Sequence, residues 1–523
     1  MWDKLKNLFK NEEKSKVINN LEIKDNIKLN KKLKKNINLI KANIADCDDL
    51  NYRKFNFAKN PSQQAVAIFL NEFIEKDDLH QYVLKPLMEE DSINNIKSKD
   101  LLKEIKNNLL AISEIKLEND LANIITAILN GETALLINGV KQALILDIKQ
   151  TAGRGVETPN IEATTRGPQE GFVENISTNI TLIRKRLKDN NLMLKMKKIG
   201  VRSNTDVAML YINDIAKPEI VKEVETRVDN INTDVIYDTG TIAQHILDNP
   251  HSPFPQFKNT ERPDKTVASL MEGRVVLLVD GTPFALILPI VFIQFLNSPE
   301  DYYDHYFIGS ALRILRLLSL IMAISLPAVY ISLTSFRHEL IPIDLALTIA
   351  RVRAGVPFPA FLEALIMEVS LELLRESGIR LPGAIGQTIG IVGGLILGEA
   401  AVQAGLVSPP MVIVVAITAI ASFAIPSYEA AVPLRLIRFP VMIAASIFGV
   451  LGLMFSWLVI LIHLCSLKSI KQPYFAPFAP LKWHDLKDSL IRMPLNWLKS
   501  RPESIPTQNK KRQKTDSEAE DNE

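Results

Sequence analysis

Two kinds of hydrophobic pattern divide this chain. Before residue 283 apolar residues come in short groups, at helical or alternating spacing, whereas residues 284–465 are dominated by long apolar runs. The clearest runs are Ala311–Leu333, Ala384–Gln403, Met411–Ala431 and Val441–Cys465. A helix rises about 1.5 Å per residue, so roughly 20 residues cross a bilayer's hydrocarbon core. Each run is long enough. The expected fold is a polytopic α-helical membrane module over residues 284–466, preceded by a two-subdomain α/β cytosolic module. The membrane module would hold about five membrane segments, with the stretch 284–298 short enough to be re-entrant.

Ahead of it, residues 1–55 read as a basic, flexible arm with Lys31, Lys32, Lys34 and Lys35 clustered. Trp2, Leu5, Leu8 and Phe9 fall at helical spacing among lysines, a pattern that also suits a helix lying on an anionic membrane surface. Residues 56–150 form the first α/β subdomain, with helical periodicity over Gln64–Phe73 and Leu101–Leu129. It closes on a hairpin: Thr133–Ile137, the pair Asn138-Gly139 suited to a type I′ turn, and Lys141–Ile148. The second subdomain, 151–283, repeats that ending. Gly131-Glu-Thr-Ala-Leu-Leu-Ile-Asn-Gly139 aligns with Gly273-Arg-Val-Val-Leu-Leu-Val-Asp-Gly281, and Ala143-Leu-Ile-Leu146 with Ala285-Leu-Ile-Leu288. Between the hairpins the pattern predicts helices at Gly171–Lys188 and Glu219–Val228, and strands at Val207–Ile212 and Asp234–Tyr237. Residues 467–523 read as a polar C-terminal tail. Asp280, Gly281, Pro283, Phe284 and Pro289 join the last hairpin to the apolar half without a linker, so movement of the second subdomain would pass to the membrane without slack.

Composition adds little to this division: a formal net charge of +2 and 47% hydrophobic residues look globular when averaged. The two cysteines, Cys47 and Cys465, sit in unlike surroundings and imply no disulfide framework. Tests for chemistry fail. There is no phosphate-binding loop, no metal-ligand spacing among the seven histidines, and no paired nucleophile and base. The expectation is a protein that is not an enzyme, with no cofactor, no metal and no nucleic-acid partner.

The apolar half carries its own signals. Gly383, Gly386, Gly390, Gly394 and Gly398 make a smooth helical ridge that lets another helix approach closely. Thr388, Glu399 and Gln403 share a second face of that helix, and a carboxylate near the bilayer centre costs roughly 3 kcal/mol unless it meets water or a partner. After the breaker Pro357-Phe-Pro359, an apolar stripe (Leu362, Leu365, Ile366, Val369, Leu373) opposes an acidic one (Glu368, Glu372, Glu376), with Glu363 at another angle. Such a segment either lies on the interface or lines a water-filled path, and rings of Glu suit cation passage. The pore candidates are therefore Glu363, Glu368, Glu372, Thr388, Glu399 and Gln403. Arg351, Arg353, Arg375 and Arg380 favour a cytosolic connection before the Gly-rich helix, as do Arg435 and Arg438 before the last span. Counting onward places the tail outside, against its own Lys and Arg content.

Several motifs resemble one family, the A subunits of the GerA-type nutrient germinant receptors of endospore-forming bacteria. They are Arg166-Gly-Pro-Gln-Glu-Gly-Phe172, Ser252-Pro-Phe-Pro-Gln256, Thr260-Glu-Arg-Pro-Asp264, Glu272-Gly-Arg274 through Val279-Asp-Gly-Thr-Pro283, and Ser298-Pro-Glu-Asp-Tyr-Tyr303. Leu381-Pro-Gly-Ala-Ile-Gly-Gln387, Pro426-Ser-Tyr-Glu-Ala430 and Pro433-Leu-Arg435 continue the match. The resemblance implies residence in the spore inner membrane, with a transporter-like B subunit that holds the nutrient and a lipoprotein C subunit. It also implies a ring-shaped homo-oligomer, plausibly a pentamer, whose opening releases monovalent cations. Two further readings stand beside that channel: a non-conducting scaffold that relays nutrient binding, and, ranked last for want of inverted repeats, a secondary transporter.

Overall fold

The computed structural model describes residues 27–56, 63–89, 98–149, 158–159, 162–381, 393–394 and 396–513. The first unit begins earlier than expected. Helix α1 (Leu33–Asn43) buries Leu33, Ile37 and Ile40, and leaves Lys31, Lys32, Lys34 and Lys35 exposed on and just ahead of its opposite face. Thus the lysine cluster is the wet side of a packed helix, and the reading of residues 1–55 as an arm fails from α1 onward. The proposed surface helix at Trp2–Phe9 lies outside the described residues.

Strand β1 (Leu50–Asn56) follows, then β2 (Gln64–Leu70), β3 (Ile115–Glu118), helix α2 (Leu121–Leu129), β4 (Thr133–Ile137) and β5 (Ala143–Leu146). The sheet order is β1-β2-β4-β5-β3, all antiparallel. Residues 64–70 are a strand and not the expected helix. An interior strand covered on both faces is apolar at nearly every position, so its sequence shows no alternation.

The second unit repeats this plan. Its elements are α3 (Ile176–Arg186), β6 (Leu192–Ile199), β7 (Thr205–Ile212), α4 (Pro218–Asp229), α5 (Thr239–Ile246), β8 (Lys258–Thr260), α6 (Pro263–Met271), β9 (Val275–Val279) and β10 (Ala285–Leu288). The sheet order β6-β7-β9-β10-β8 is that of the first unit, position for position. Residues 234–237 form no strand. The hairpin turns also correspond, but neither is type I′, because only Gly139 (φ +88°) and Gly281 (φ +87°) take positive φ while Asn138 and Asp280 do not. Instead Asn138 Oδ1 accepts from the Leu33 N–H (3.3 Å) and Asp280 Oδ1 from the Ile176 N–H (3.1 Å), each satisfying an orphan donor at the start of the helix opening its own unit. A buried Arg184–Asp49 pair, with Nε–Oδ2 at 2.5 Å, ties the two units together.

The chain then enters the helical half. Strand β10 reaches Leu288 fully buried, so a boundary at 283 would cut a hairpin, and Phe292–Phe295 is a short 3₁₀ turn packed inside the core. The stretch 284–298 is therefore neither a span nor re-entrant. Helices α7 (Tyr306–Phe336), α8 (Ile343–Arg353), α9 (Ala360–Arg380), α10 (Pro409–Phe423), α11 (Tyr428–Phe448) and α12 (Val450–Ser466) follow, with residues 396–403 also helical. Two of them, α7 and α11, are long and apolar enough to cross a membrane, while α10 and α12 are shorter apolar helices.

Contacts fix the direction of each helix. The starts of α7 and α11 and the end of α12 touch the second α/β unit or the neck, the connecting stretch 289–305, through Asp301–Arg316, Asn259–Glu429 and Ser252–His463. The opposite ends meet one another: Phe336 at Gly449, Tyr330 at Ser408, Arg353 at Glu363. The chain hence runs away along α7, back along α9, away through 396–403, back along α10, away along α11 and back along α12. Residues 467–513 are no free tail. They form a small hairpin, Lys468–Ser469 with Gln472–Pro473, and continue over the second α/β unit, where Arg501 Nε donates to Met271 O (2.7 Å) and Gln508 Nε2 to Ala216 O (2.6 Å). The tail, as far as residue 513, lies on the same side of the helices as the α/β units.

Candidate functional site

The chain's two halves meet at a junction of polar and aromatic side chains. On the edge strand β8, the Asn259 N–H donates to both carboxylate oxygens of Glu429, each at 3.2 Å. Glu429 occupies the first turn of α11, where free backbone N–H groups favour a negative charge. Ser252 Oγ lies 2.9 Å from His463 Nε2 near the end of α12, and the Phe254 ring packs against both His463 and Phe292.

Between sheet and bundle, the neck is held by the tail. The Ile290 N–H donates to Ser469 Oγ (3.0 Å), Ser469 Oγ donates to Gln256 O (2.7 Å), and the Phe292 N–H donates to Tyr474 O (2.8 Å). Asp301, wholly buried, accepts from Arg313 (3.2 Å) and Arg316 (2.8 Å) of α7, and Arg313 reaches on to Asp488 in the tail (2.9 Å). Of the five predicted coupling residues, Pro289 is buried at this junction and Phe284 leads into β10, next to Pro283. Asp280 and Gly281 are at the other end of the hairpin, bonded to Ile176 and Glu174, and do not touch the helices by these bonds.

Lys258, beside Asn259, is buried and donates to Gln294 O (2.9 Å). Burial, reinforced by nearby Lys265, pushes its ammonium down to about 7.

Deeper in the helical half the predicted carboxylates mostly face inward and are paired. Glu363 is fully buried, accepting from Arg353 (3.2 Å) and from Ser408 N (2.9 Å) and Oγ (2.7 Å). Glu368 pairs with Arg438, which also donates to Ala323 O (2.8 Å). Glu372, half-exposed, sits 3.3 Å from Arg435. The apolar side of α9 points out instead, with Val369 42% and Leu373 65% exposed. A segment resting on an interface by its apolar stripe would leave its carboxylates in water. Here two of them are buried against arginines. Accordingly Arg353 and Arg438 are partners of buried carboxylates and not the loop charges that the topology count took them for.

Glu399 and Gln403 are exposed and bonded to each other (3.1 Å), with no buried partner. Gly394 faces open space, and a Cβ on Gly398 would make ordinary contact with Val412 at 3.4 Å. Thr388, Gly383, Gly386 and Gly390 lie outside the described residues. The sequence reading missed Asn259, Asp301, Arg313, Arg316, Glu429 and His463. Arg313 and Arg316 carried a signal, being two cations three residues apart in an apolar run that needs a buried anion nearby.

Comparison with known proteins adds an independent line. The profile of the family described as Bacillus/Clostridium GerA spore germination protein matches residues 38–504. Spore germination protein GerLA of Bacillus cereus is 43% identical over 468 residues, covering 90% of this chain and 94% of that protein. Spore germination protein KA of Bacillus subtilis (strain 168) is 39% identical over 484 residues, covering 92% and 88%. An uncharacterized membrane protein of that strain, YfkQ, is 37% identical over 486 residues, covering 93% and 94%. Among solved structures, the N-terminal domain of the A subunit of the Bacillus megaterium spore germinant receptor GerK3 aligns at a TM-score of 0.41 with 30% identity, over 51% of this chain and 97% of that one.

Proposed function

Because the chain belongs to the GerA family of spore germination proteins, we propose that it is the A subunit of a spore germinant receptor and passes monovalent cations when a nutrient is sensed. In this reading it works in the spore inner membrane with a transporter-like B subunit, which holds the nutrient, and a lipoprotein C subunit. It forms a homo-oligomeric ring, a pentamer in this reading, and catalyses no reaction.

The observation that carries the membrane placement is the inverted helical half. Glu363, Glu368, Arg313 and Arg438 are interior, while Phe307, Leu315, Ile420, Phe423, Phe448, Leu451 and Val459 are each more than half exposed. Water would penalise that arrangement and hydrocarbon favours it. In this reading the six passes of the chain away from and back toward the α/β units return the tail to the cytosolic side with them. Its lysines and arginines then obey the positive-inside rule, and the odd count expected from sequence gives way.

One observation favours the scaffold alternative. Glu363 and Glu368 are neutralised by arginines within the protomer, so they form no bare anionic ring. The conducting reading therefore rests on Glu399 and Gln403, exposed on one helix. The test is potassium release from spores in which this chain is the sole A-type subunit. Nutrient-triggered release that is lost on deletion and restored by the gene supports the receptor role; release that persists without the gene refutes it.

A further inference from the structure

A cavity of about 380 Å³ opens where helix α6, the neck and the tail meet. Its size is that of a small-molecule site. Part of the wall is apolar, with Ala268, Ile290 and Leu495 supplied by three separate stretches of chain. The rest is polar and unbalanced in charge. The two wall carboxylates are already engaged, Asp264 by Arg262 (2.8 Å) and Glu272 by Arg274 (2.8 Å). Arg274 is 1% exposed and also donates to Gln294, yet among the described residues its Nε has no hydrogen-bond partner, and neither has the buried Oδ1 of Asn297 on the same wall. Among the described residues Lys258 makes one bond, to a backbone carbonyl, which leaves its ammonium two further donors for another acceptor.

A donor left over on a fully buried arginine, next to a second cation and an apolar wall, is complementary to one chemical class. We propose that this cavity binds a small carboxylate with an apolar body, its carboxylate held by Arg274 and Lys258 and its body against Ala268, Ile290 and Leu495. An occupant would bridge sheet, neck and tail, and so brace the junction between the two halves. The site stands on this geometry alone and is independent of whether the bundle conducts.

Benzoate is the probe, and benzyl alcohol its uncharged match, titrated calorimetrically into the full-length protein in nanodiscs. Benzoate should bind and benzyl alcohol should bind at least about tenfold more weakly, the loss of a charge-assisted hydrogen bond. Arg274→Gln should weaken benzoate to a similar degree. Because a buried arginine variant can fail to fold, Ala268→Trp serves as the second variant: Ala268 is exposed on α6 at the cavity wall, so a large side chain there should block entry while the melting temperature without ligand stays unchanged. Absence of benzoate binding, equal binding of benzyl alcohol, or unimpaired binding by a folded Ala268→Trp variant would each overturn the assignment.

Discussion

Asn36 and Asn179 make the same pair of hydrogen bonds at equivalent places in the two α/β units. Both are buried, and each bonds to the backbone of the residue six positions before it. Asn36 accepts from Asn30 N (2.8 Å) and donates to Asn30 O (2.7 Å), and Asn179 does so with Val173 at 2.8 and 2.6 Å. Only a side-chain amide offers both an acceptor and a donor at that spot. Replacing either by Ala should cost about 1–3 kcal/mol, because the partnered backbone groups are left with nothing. Thermal melts of the full chain check this, and Asn→Asp, which keeps the acceptor alone, should fall between. Wild-type melting of both Ala variants would mean the bonds contribute nothing.

That repeat was legible in the sequence only at its hairpins, where Asn138-Gly139 and Asp280-Gly281 punctuate fully buried strands. Of the helices before them, α3 falls inside the expected helix Gly171–Lys188, whereas α1 escaped notice because it carries many lysines. Strand β2 was misread as helix because it is covered on both faces. The helical half was plain from its apolar runs, but the ion pairs of the chain were not. Glu368 meets Arg438 across 70 positions and Asp49 meets Arg184 across 135, and periodicity within one segment holds no information about such partners. Likewise Asp301, Glu429 and His463 look like ordinary flanking residues until the tail and β8 are brought beside them.

The glycines of the helical half separate packing within a protomer from packing between protomers. A Cβ on Gly452 would lie 2.0 Å from the carbonyl oxygen of Ala444, backbone that cannot swing aside. Gly452→Ala should therefore deplete the protein from membranes, at a cost of at least about 3 kcal/mol. A Cβ on Gly394 would meet no atom of the described residues, so Gly394→Leu should leave abundance unchanged and shift only the oligomer band on native gels. Equal depletion by both variants would place Gly394 in the protomer's own packing.

Breaking the Glu368–Arg438 pair from one side should be worse than removing both charges. Glu368→Gln leaves Arg438 buried with little beyond the Ala323 carbonyl, which costs about 3–5 kcal/mol. The double replacement Glu368→Met with Arg438→Met should recover most of that loss. Yields and melting temperatures of the three variants decide it. A double variant no better than the single would show that the charges do more than balance each other.

Lys258 makes stability depend on pH in a predictable direction. Its folded-state pKa is lowered to about 7 from an ordinary 10.5. Between those values the unfolded chain holds the proton that the folded chain has released, so stability rises with pH across that window. Below about pH 7 both states are protonated and the full penalty of burying the cation is present. Lys258→Met should raise the melting temperature at pH 7 and flatten its increase toward pH 9. A variant whose melting curve keeps the wild-type slope would assign that slope to other groups.

Whether this subunit itself conducts is tested most directly by potassium flux from proteoliposomes holding the purified oligomer, with chloride flux measured in parallel. Glu399 is exposed on the 396–403 helix, has no basic partner among the described residues, and accepts a hydrogen bond from Gln403. Its charge should attract cations and exclude anions by Coulomb forces. Wild-type protein should release potassium in preference to chloride, and Glu399→Gln, which keeps size and hydrogen bonding, should lower that preference without lowering the amount of oligomer. No potassium flux from correctly assembled wild-type oligomer would contradict conduction and leave the chain as a scaffold that relays the signal.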